Sequence, residues 1–222
     1  MIVAGIDEAG RGPVIGPLVL AGVSFDEKKL NELERIGVRD SKLLTQKKRE
    51  KIFDEILNLS EKHKVIIISP EEIDDYVNKK RLNELEALKI IEIINYLNPD
   101  KIIIDCPSNN KKKFEEFLRQ RVHNKKIELV VEHKADFKYK VVGAASIIAK
   151  VVREREIKKI KEKYKVDFGS GYPSDPLTKK FLKENFKDER LKSIFRKSWS
   201  TYSELSGKTK QKNISDFFSK KE

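Results

Sequence analysis

Apolar residues along this chain fall first into short unbroken runs and then into helical spacing. Ile2 to Ile6 and Leu18 to Val23 read as buried strands, joined through a Gly16-Pro17 turn that suits an antiparallel pair. A helix is predicted over 45–59, with Thr45 as its cap and Ile52, Phe53, Ile56 and Leu57 on one face. Val65 to Ile68 is the next strand. Ser69-Pro70-Glu71-Glu72 then opens a helix with a capping serine, a proline at the first helical position and a glutamate at the reciprocal capping-box position. Leu85, Leu88, Ile91 and Ile94 predict a further helix over 82–97, which Asn98-Pro99-Asp100 ends.

Two more strands, Lys101 to Ile104 and Ile127 to Val131, flank a helix marked by Phe114, Phe117 and Leu118. From 141 to 164 the pattern predicts a long helix whose small start, Gly143-Ala144-Ala145-Ser146, allows close approach to the sheet. An early meander followed by strand–helix alternation predicts an α/β fold, a mixed central sheet flanked by helices. Past Asp167 a Gly/Pro/Ser loop and short helices suggest a small C-terminal helical appendage. The expected organisation is a domain over 1–166, a helical region over 167–205 and a tail over 206–222 that starts as a linker.

Three of the strands lead into acid. The first runs into Asp7-Glu8, the fourth delivers Asp105, and the fifth leads through His133-Lys134-Ala135 to Asp136. Open α/β sheets bind ligands off the carboxyl ends of their strands. Four ionised carboxylates gathered there repel one another unless cations neutralise them. With three histidines and one cysteine the chain has no clustered soft ligand set for zinc, and oxygen-only ligation suits Mg²⁺ or Mn²⁺. Two such ions about 4 Å apart form the clamp used for in-line displacement at phosphorus. Asp7 and Glu8 point to opposite faces of a regular strand, so sharing one metal pair requires the strand to end or bulge there, which Gly5 and Gly10 permit. Cys106 reads as a core thiol and His133 as a polar residue at a strand end.

Gly10-Arg11-Gly12 is not a dinucleotide-binding loop, because the spacing is wrong and Pro13 and Pro17 oppose the helix such a loop opens. Two glycines do let backbone groups come within hydrogen-bond distance of a ligand, and the arginine adds a planar donor fork. Charge points to the same class of ligand. Over 222 residues, 48 Lys and Arg against 36 Asp and Glu leave +12, a field that favours nucleic acid. The lone Cys106 makes no internal disulfide, and no N-terminal apolar stretch has the length of a signal peptide or membrane span. A cytoplasmic monomer is expected.

Six separated motifs resemble ribonuclease HII: Asp7-Glu8-Ala9-Gly10-Arg11-Gly12-Pro13, Asp40-Ser41-Lys42, the Asp105 strand, His133-Lys134-Ala135-Asp136, Ala144-Ala145-Ser146-Ile147-Ile148-Ala149-Lys150 and Gly169-Ser170-Gly171-Tyr172-Pro173-Ser174-Asp175. They span roughly residues 1 to 200 in order. The resemblance implies a ribonuclease H-like fold and metal-dependent cutting of RNA in RNA·DNA hybrids and of single ribonucleotides in duplex DNA, leaving 5′-phosphate and 3′-hydroxyl ends. It implies that Asp7, Glu8, Asp105 and Asp136 hold the metals, that Gly10, Arg11 and Gly12 read the ribose 2′-hydroxyl through backbone groups, and that Tyr172 stacks on the adjoining deoxyribose. Lys42, and with it Lys150, are the implied phosphate contacts. Gly143, where the family commonly has alanine, and Glu154, where it has aspartate, depart from the pattern.

In the tail, Gln211 is followed three residues later by Ile214 and then by Phe217 and Phe218, and these last three have the spacing of one face of a short helical turn. That segment resembles the peptide that docks on the sliding clamp PCNA, which implies an archaeal source. Two rivals remain at this point. A junction resolvase of the same superfamily cuts a substrate lacking any 2′-hydroxyl, and a non-catalytic scaffold binds no metal.

Overall fold

The computed structural model describes residues 1–38 and 44–207. Its sheet is built from β1 (Ile2–Ala9), β2 (Leu18–Asp26), β3 (Lys62–Ile68), β4 (Lys101–Asp105) and β5 (Glu128–Glu132), in the spatial order β3-β2-β1-β4-β5. β1 pairs antiparallel with β2, and β2 with β3, whereas β4 lies parallel to both β1 and β5. The helix-free connection from Gly10 to Pro17 allows the antiparallel pair, while each parallel pair is reached through helices, so the predicted mixed sheet is present. In chain order the helices are α1 (Leu30–Arg35), α2 (Gln46–Leu59), α3 (Pro70–Asn78), α4 (Leu82–Leu97), α5 (Lys111–Arg121), α6 (Ala135–Lys138), α7 (Lys140–Tyr164), α8 (Pro176–Asn185) and α9 (Ser200–Leu205).

Helix starts follow their caps. The Thr45 hydroxyl accepts from the Lys48 N–H, and the Ser69 hydroxyl accepts from the Glu72 N–H at 3.1 Å. Each such cap contributes about 1 kcal/mol. The Glu72 carboxylate turns to Lys89 at 2.8 Å. Asn98 ends α4 in the left-handed region at φ 43°.

Both faces of the sheet are covered, which is why its central strands are apolar at nearly every position instead of alternating. Ala4, Ile6, Leu20, Ile102 and Ile104 pack with Ile73 of α3, with Ile90, Ile94 and Leu97 of α4 and with Phe114 and Leu118 of α5. Val3, Val19, Ala21, Val23 and Ile103 pack with Leu33 of α1, Ile52 and Ile56 of α2 and the apolar residues of α7. A fully buried Ile or Leu contributes about 1.5–3 kcal/mol.

The close approach predicted for α7 is made from the other side. A Cβ at Gly5 would lie 2.3 Å from the Val141 carbonyl carbon and 2.5 Å from the Val142 N, so it is a glycine of β1 that lets the helix backbone touch the sheet. Gly143 instead faces Val38 and the α6 turn, at 3.2 Å from Val38 Cγ1 and 3.4 Å from the Asp136 carbonyl for an added Cβ.

Residues 167–207 pack on the loop between β1 and β2. Phe168, Phe181, Leu182, Leu191, Phe195 and Tyr202 close a third apolar cluster around Val14, Ile15 and Ile157. Main-chain bonds reinforce it: Val14 N–H to the Gly171 carbonyl, Gly16 N–H to the Ile194 carbonyl and Arg196 N–H to the Val14 carbonyl, at 2.8–2.9 Å.

Candidate active site

The first acid pair lies within a continuous strand. β1 runs in unbroken antiparallel register to Ala9↔Val19, with Asp7↔Ala21 and Glu8↔Leu20, so the expected end or bulge at these residues is absent. What ends is the other partner, because the parallel pairing of β1 with β4 stops at Ile6↔Ile104. Strand alternation then sends Asp7 to the α7 face and Glu8 to the α4 face.

Asp7, Asp105 and Asp136 gather on the α7 side. The Asp7 carboxylate accepts from the Glu8 N–H at 2.7 Å and is hydrogen-bonded with Ser146 of α7. Asp105 is the last residue of β4, and its Oδ1 accepts from the Ala135 N–H at 2.9 Å. Lys134 turns the chain through the left-handed region at φ 57°, so Asp136 stands in the one-turn helix α6, beyond the end of β5. Burial, opposed by the Ser146 bond and reinforced by the charges of Asp105 and Asp136, pushes the Asp7 carboxyl up to about 7.

Glu8 has different company. Its carboxyl is raised by burial and then by the Glu86 and Asp7 charges. Glu86, fully buried on α4, is itself raised by burial in spite of its ion pair with Arg11 at 2.8 Å. Among the described residues no three His, Cys, Asp or Glu side chains stand close enough to hold a metal ion without moving. Donor chemistry and charge nevertheless fit a hard divalent cation, since the oxygens are carboxylates and their repulsion is already felt at Asp7.

A cleft of about 850 Å³ opens beside Glu8 and the Gly10–Gly12 loop. Its opposite wall is basic: Arg49 of α2 and Lys150, Arg153, Lys158 and Lys161 of α7. Lys150 Nζ donates to the Ser146 hydroxyl at 2.9 Å, linking this wall to Asp7. Tyr172 is 39 % exposed, with the Arg153 guanidinium 5.3 Å from its ring and the Gly12 Cα side 3.6 Å away for an added Cβ. Glu154, the departure from the family pattern, forms an ion pair with Arg49 that joins α7 to α2.

Arg11 departs from the sequence expectation. Two of its donors are already engaged, Nε on Glu86 at 2.8 Å and Nη2 on the Asn83 Oδ1 at 2.7 Å, so the arginine anchors the loop to α4. Lys42, and Gln211, Ile214, Phe217 and Phe218 of the tail, lie outside the described residues. The sequence gives no role to Ser146, Glu86, Arg153 or Arg196, which the structure places against Asp7, Glu8, Tyr172 and the Gly10–Gly12 loop. Ser146 stood inside a recognised motif without a role, and the others lack any spacing that sets them apart.

A sequence profile described as Ribonuclease HII matches residues 4–202. This chain belongs to the ribonuclease HII family. The Pyrococcus abyssi ribonuclease HII is 46 % identical over 217 residues, covering 96 % of this chain and 95 % of that protein. Among solved structures, the ribonuclease H2 of Pyrococcus horikoshii OT3 superposes with a TM-score of 0.84 at 45 % identity, covering 93 % of this chain and 98 % of the other. A structure titled as the PCNA:RNase HII complex from Archaeoglobus fulgidus gives 0.82 at 44 % identity, covering 97 % and 100 %. The protein is therefore a hydrolase of the ribonuclease H kind, cutting the RNA strand of RNA·DNA hybrids as the sequence resemblance implies, on a ribonuclease H-like fold.

Proposed function

We propose that this ribonuclease HII hydrolyses phosphodiester bonds in RNA·DNA hybrids and at single ribonucleotides within duplex DNA, leaving 5′-phosphate and 3′-hydroxyl ends. Asp7, Asp105 and Asp136 hold two divalent ions, Mg²⁺ or Mn²⁺, together with Glu8, which lies on the other face of β1 but beyond the last β1–β4 pair, where it feels the charges of Asp7 and Asp105. When bound, these ions supply the Lewis acidity that polarises the scissile linkage and makes water nucleophilic. The observation that carries the reading is the gathering of Asp7, Asp105 and Asp136 on the α7 side of the sheet, where burial and the two neighbouring aspartates raise the Asp7 carboxyl and favour a cation beside it.

The chain's own residues bind and orient the substrate. Arg49, Lys150 and Lys158 line the cleft as phosphate contacts, and Lys42 is assigned the same role from its motif. Backbone groups of Gly10, Arg11 and Gly12 bind the 2′-hydroxyl, the one group that tells RNA from DNA at a given position. The exposed Tyr172 ring, beside that loop, stacks on the next sugar. Cleavage mapping on a duplex with one embedded ribonucleotide, in Mg²⁺ and in Mn²⁺, tests the assignment. One cut next to the ribonucleotide is expected, and none in Asp7→Asn; an Asp7→Asn protein that still cuts at the parent rate overturns the site.

The tail carries a second role. Gln211, Ile214, Phe217 and Phe218 dock on the sliding clamp, a reading supported by the Archaeoglobus fulgidus relative whose structure is titled as a PCNA complex. Removing residues 208–222 is expected to abolish co-elution with the clamp while leaving hydrolysis of a short hybrid unchanged.

A further inference from the structure

Arg196 is fully buried, and all three of its donor nitrogens end on main-chain carbonyls of one loop: Nε on Gly16 at 3.0 Å, Nη1 on Arg11 at 3.0 Å and Nη2 on Gly10 at 2.6 Å. Trp199 Nε1 donates to the Gly12 carbonyl at 3.1 Å, and its ring lies 4.9 Å from the Arg196 guanidinium. The segment between them is held in turn by Asp74 of α3, which accepts from the Lys197 and Ser198 N–H groups at 2.7 and 2.9 Å. Burying a guanidinium is costly. Here it fixes the direction of peptide planes.

In a trans peptide the carbonyl and the following N–H point opposite ways, and no cis bond interrupts the described chain. Holding the Gly10 and Arg11 carbonyls on Arg196 therefore turns the Arg11 and Gly12 N–H groups away from it. We propose that Arg196 and Trp199 are positioning residues for ribose recognition, setting the peptide orientation with which Gly10–Gly12 distinguishes a ribonucleotide from a deoxyribonucleotide. The inference rests on the ribose-reading role given above to that loop.

Two variants test it in an Asp7→Asn background that prevents cutting. Trp199→Phe keeps an aromatic, though smaller, ring on Arg196 and removes the Nε1–H donor, while Arg196→Lys keeps the charge but replaces a three-pronged donor with a point. Affinity is measured for a duplex with one ribonucleotide and for the same duplex in all-DNA form. The ratio of the two is expected to fall about 5-fold in Trp199→Phe and about 10-fold or more in Arg196→Lys, with all-DNA affinity unchanged. Restoring Asp7 should show the same factors in kcat/KM. An unchanged ratio, with only a lower melting temperature or with both affinities reduced alike, overturns the proposal. A parent protein without any preference for the ribonucleotide overturns the ribose-reading role as well, and that failure is seen before either variant is made.

Discussion

The Asp105 carboxylate accepts the Ala135 N–H at 2.9 Å, so the acid that ends one strand fixes the turn carrying the acid of the next. Asp105 thereby holds the segment that carries Asp136, and in the proposed metal site it also offers an oxygen. Asp105→Asn keeps an acceptor for Ala135 but loses the charge, whereas Asp105→Ala loses both. Both are expected to lower hybrid cleavage about 100-fold or more. Raising Mg²⁺ should recover part of the activity in the asparagine variant and none in the alanine variant. Equal recovery in both would show that the Ala135 bond has no bearing on Asp136.

Burial of Asp7 makes metal-free stability depend on pH. Its folded value of about 7 lies above the ordinary 3.8, so the folded protein keeps a proton that the unfolded chain has released. Stability from this group is complete below pH 3.8 and declines as pH rises towards 7. Asp7→Asn is expected to be more stable than the parent above pH 7 in EDTA, by an amount on the order of 2–4 kcal/mol, and to match it near pH 4. Thermal melts across that range decide the matter, and a difference that does not vary with pH refutes it.

The strands and most helices were legible because both faces of the sheet are covered, which leaves long apolar runs without ambiguity. Three features were not. Gly5 and Gly10 read together as breakers around Asp7-Glu8, but Gly5 sits where Val141 and Val142 touch the strand, and β1 continues past it. Asp136 leaves its strand because Lys134 adopts a left-handed conformation, for which a lysine gives no signal. Arg196 has main-chain acceptors up to 186 positions away, and a carbonyl is the same in every residue type.

Gly5→Ala is the sharpest packing test. Its methyl would meet Val141 backbone atoms at 2.3 Å, and neither a β-strand paired on both sides nor a helix start can yield cheaply. A loss of about 3 kcal/mol or more is expected in denaturant unfolding. Gly143→Ala, with contacts of 3.2 and 3.4 Å, should cost far less. Equal losses would contradict the assigned closest approach.

Removing the Arg11 side chain strands the Glu86 carboxylate, whose Oε2 has no hydrogen-bond partner among the described residues even with the arginine in place. Arg11→Ala is expected to lose about 2–3 kcal/mol, since Arg11 is itself partly exposed. Glu86 escapes the penalty by taking a proton, so the loss should be larger at pH 8 than at pH 5. Glu86→Gln added to Arg11→Ala should recover stability at pH 8. Strict additivity of the two changes would mean that the pair is not coupled.

Residues 10 and 196 meet across almost the whole polypeptide. At about 5–20 residues per second, a ribosome delivers Arg196 some 10–40 s after Gly10–Gly12 and well after all four acids. A nascent chain thus acquires its four carboxylates before the arginine that holds the loop's carbonyls, and translation that stops short of Arg196 leaves the Gly10, Arg11 and Gly16 carbonyls without that shared donor.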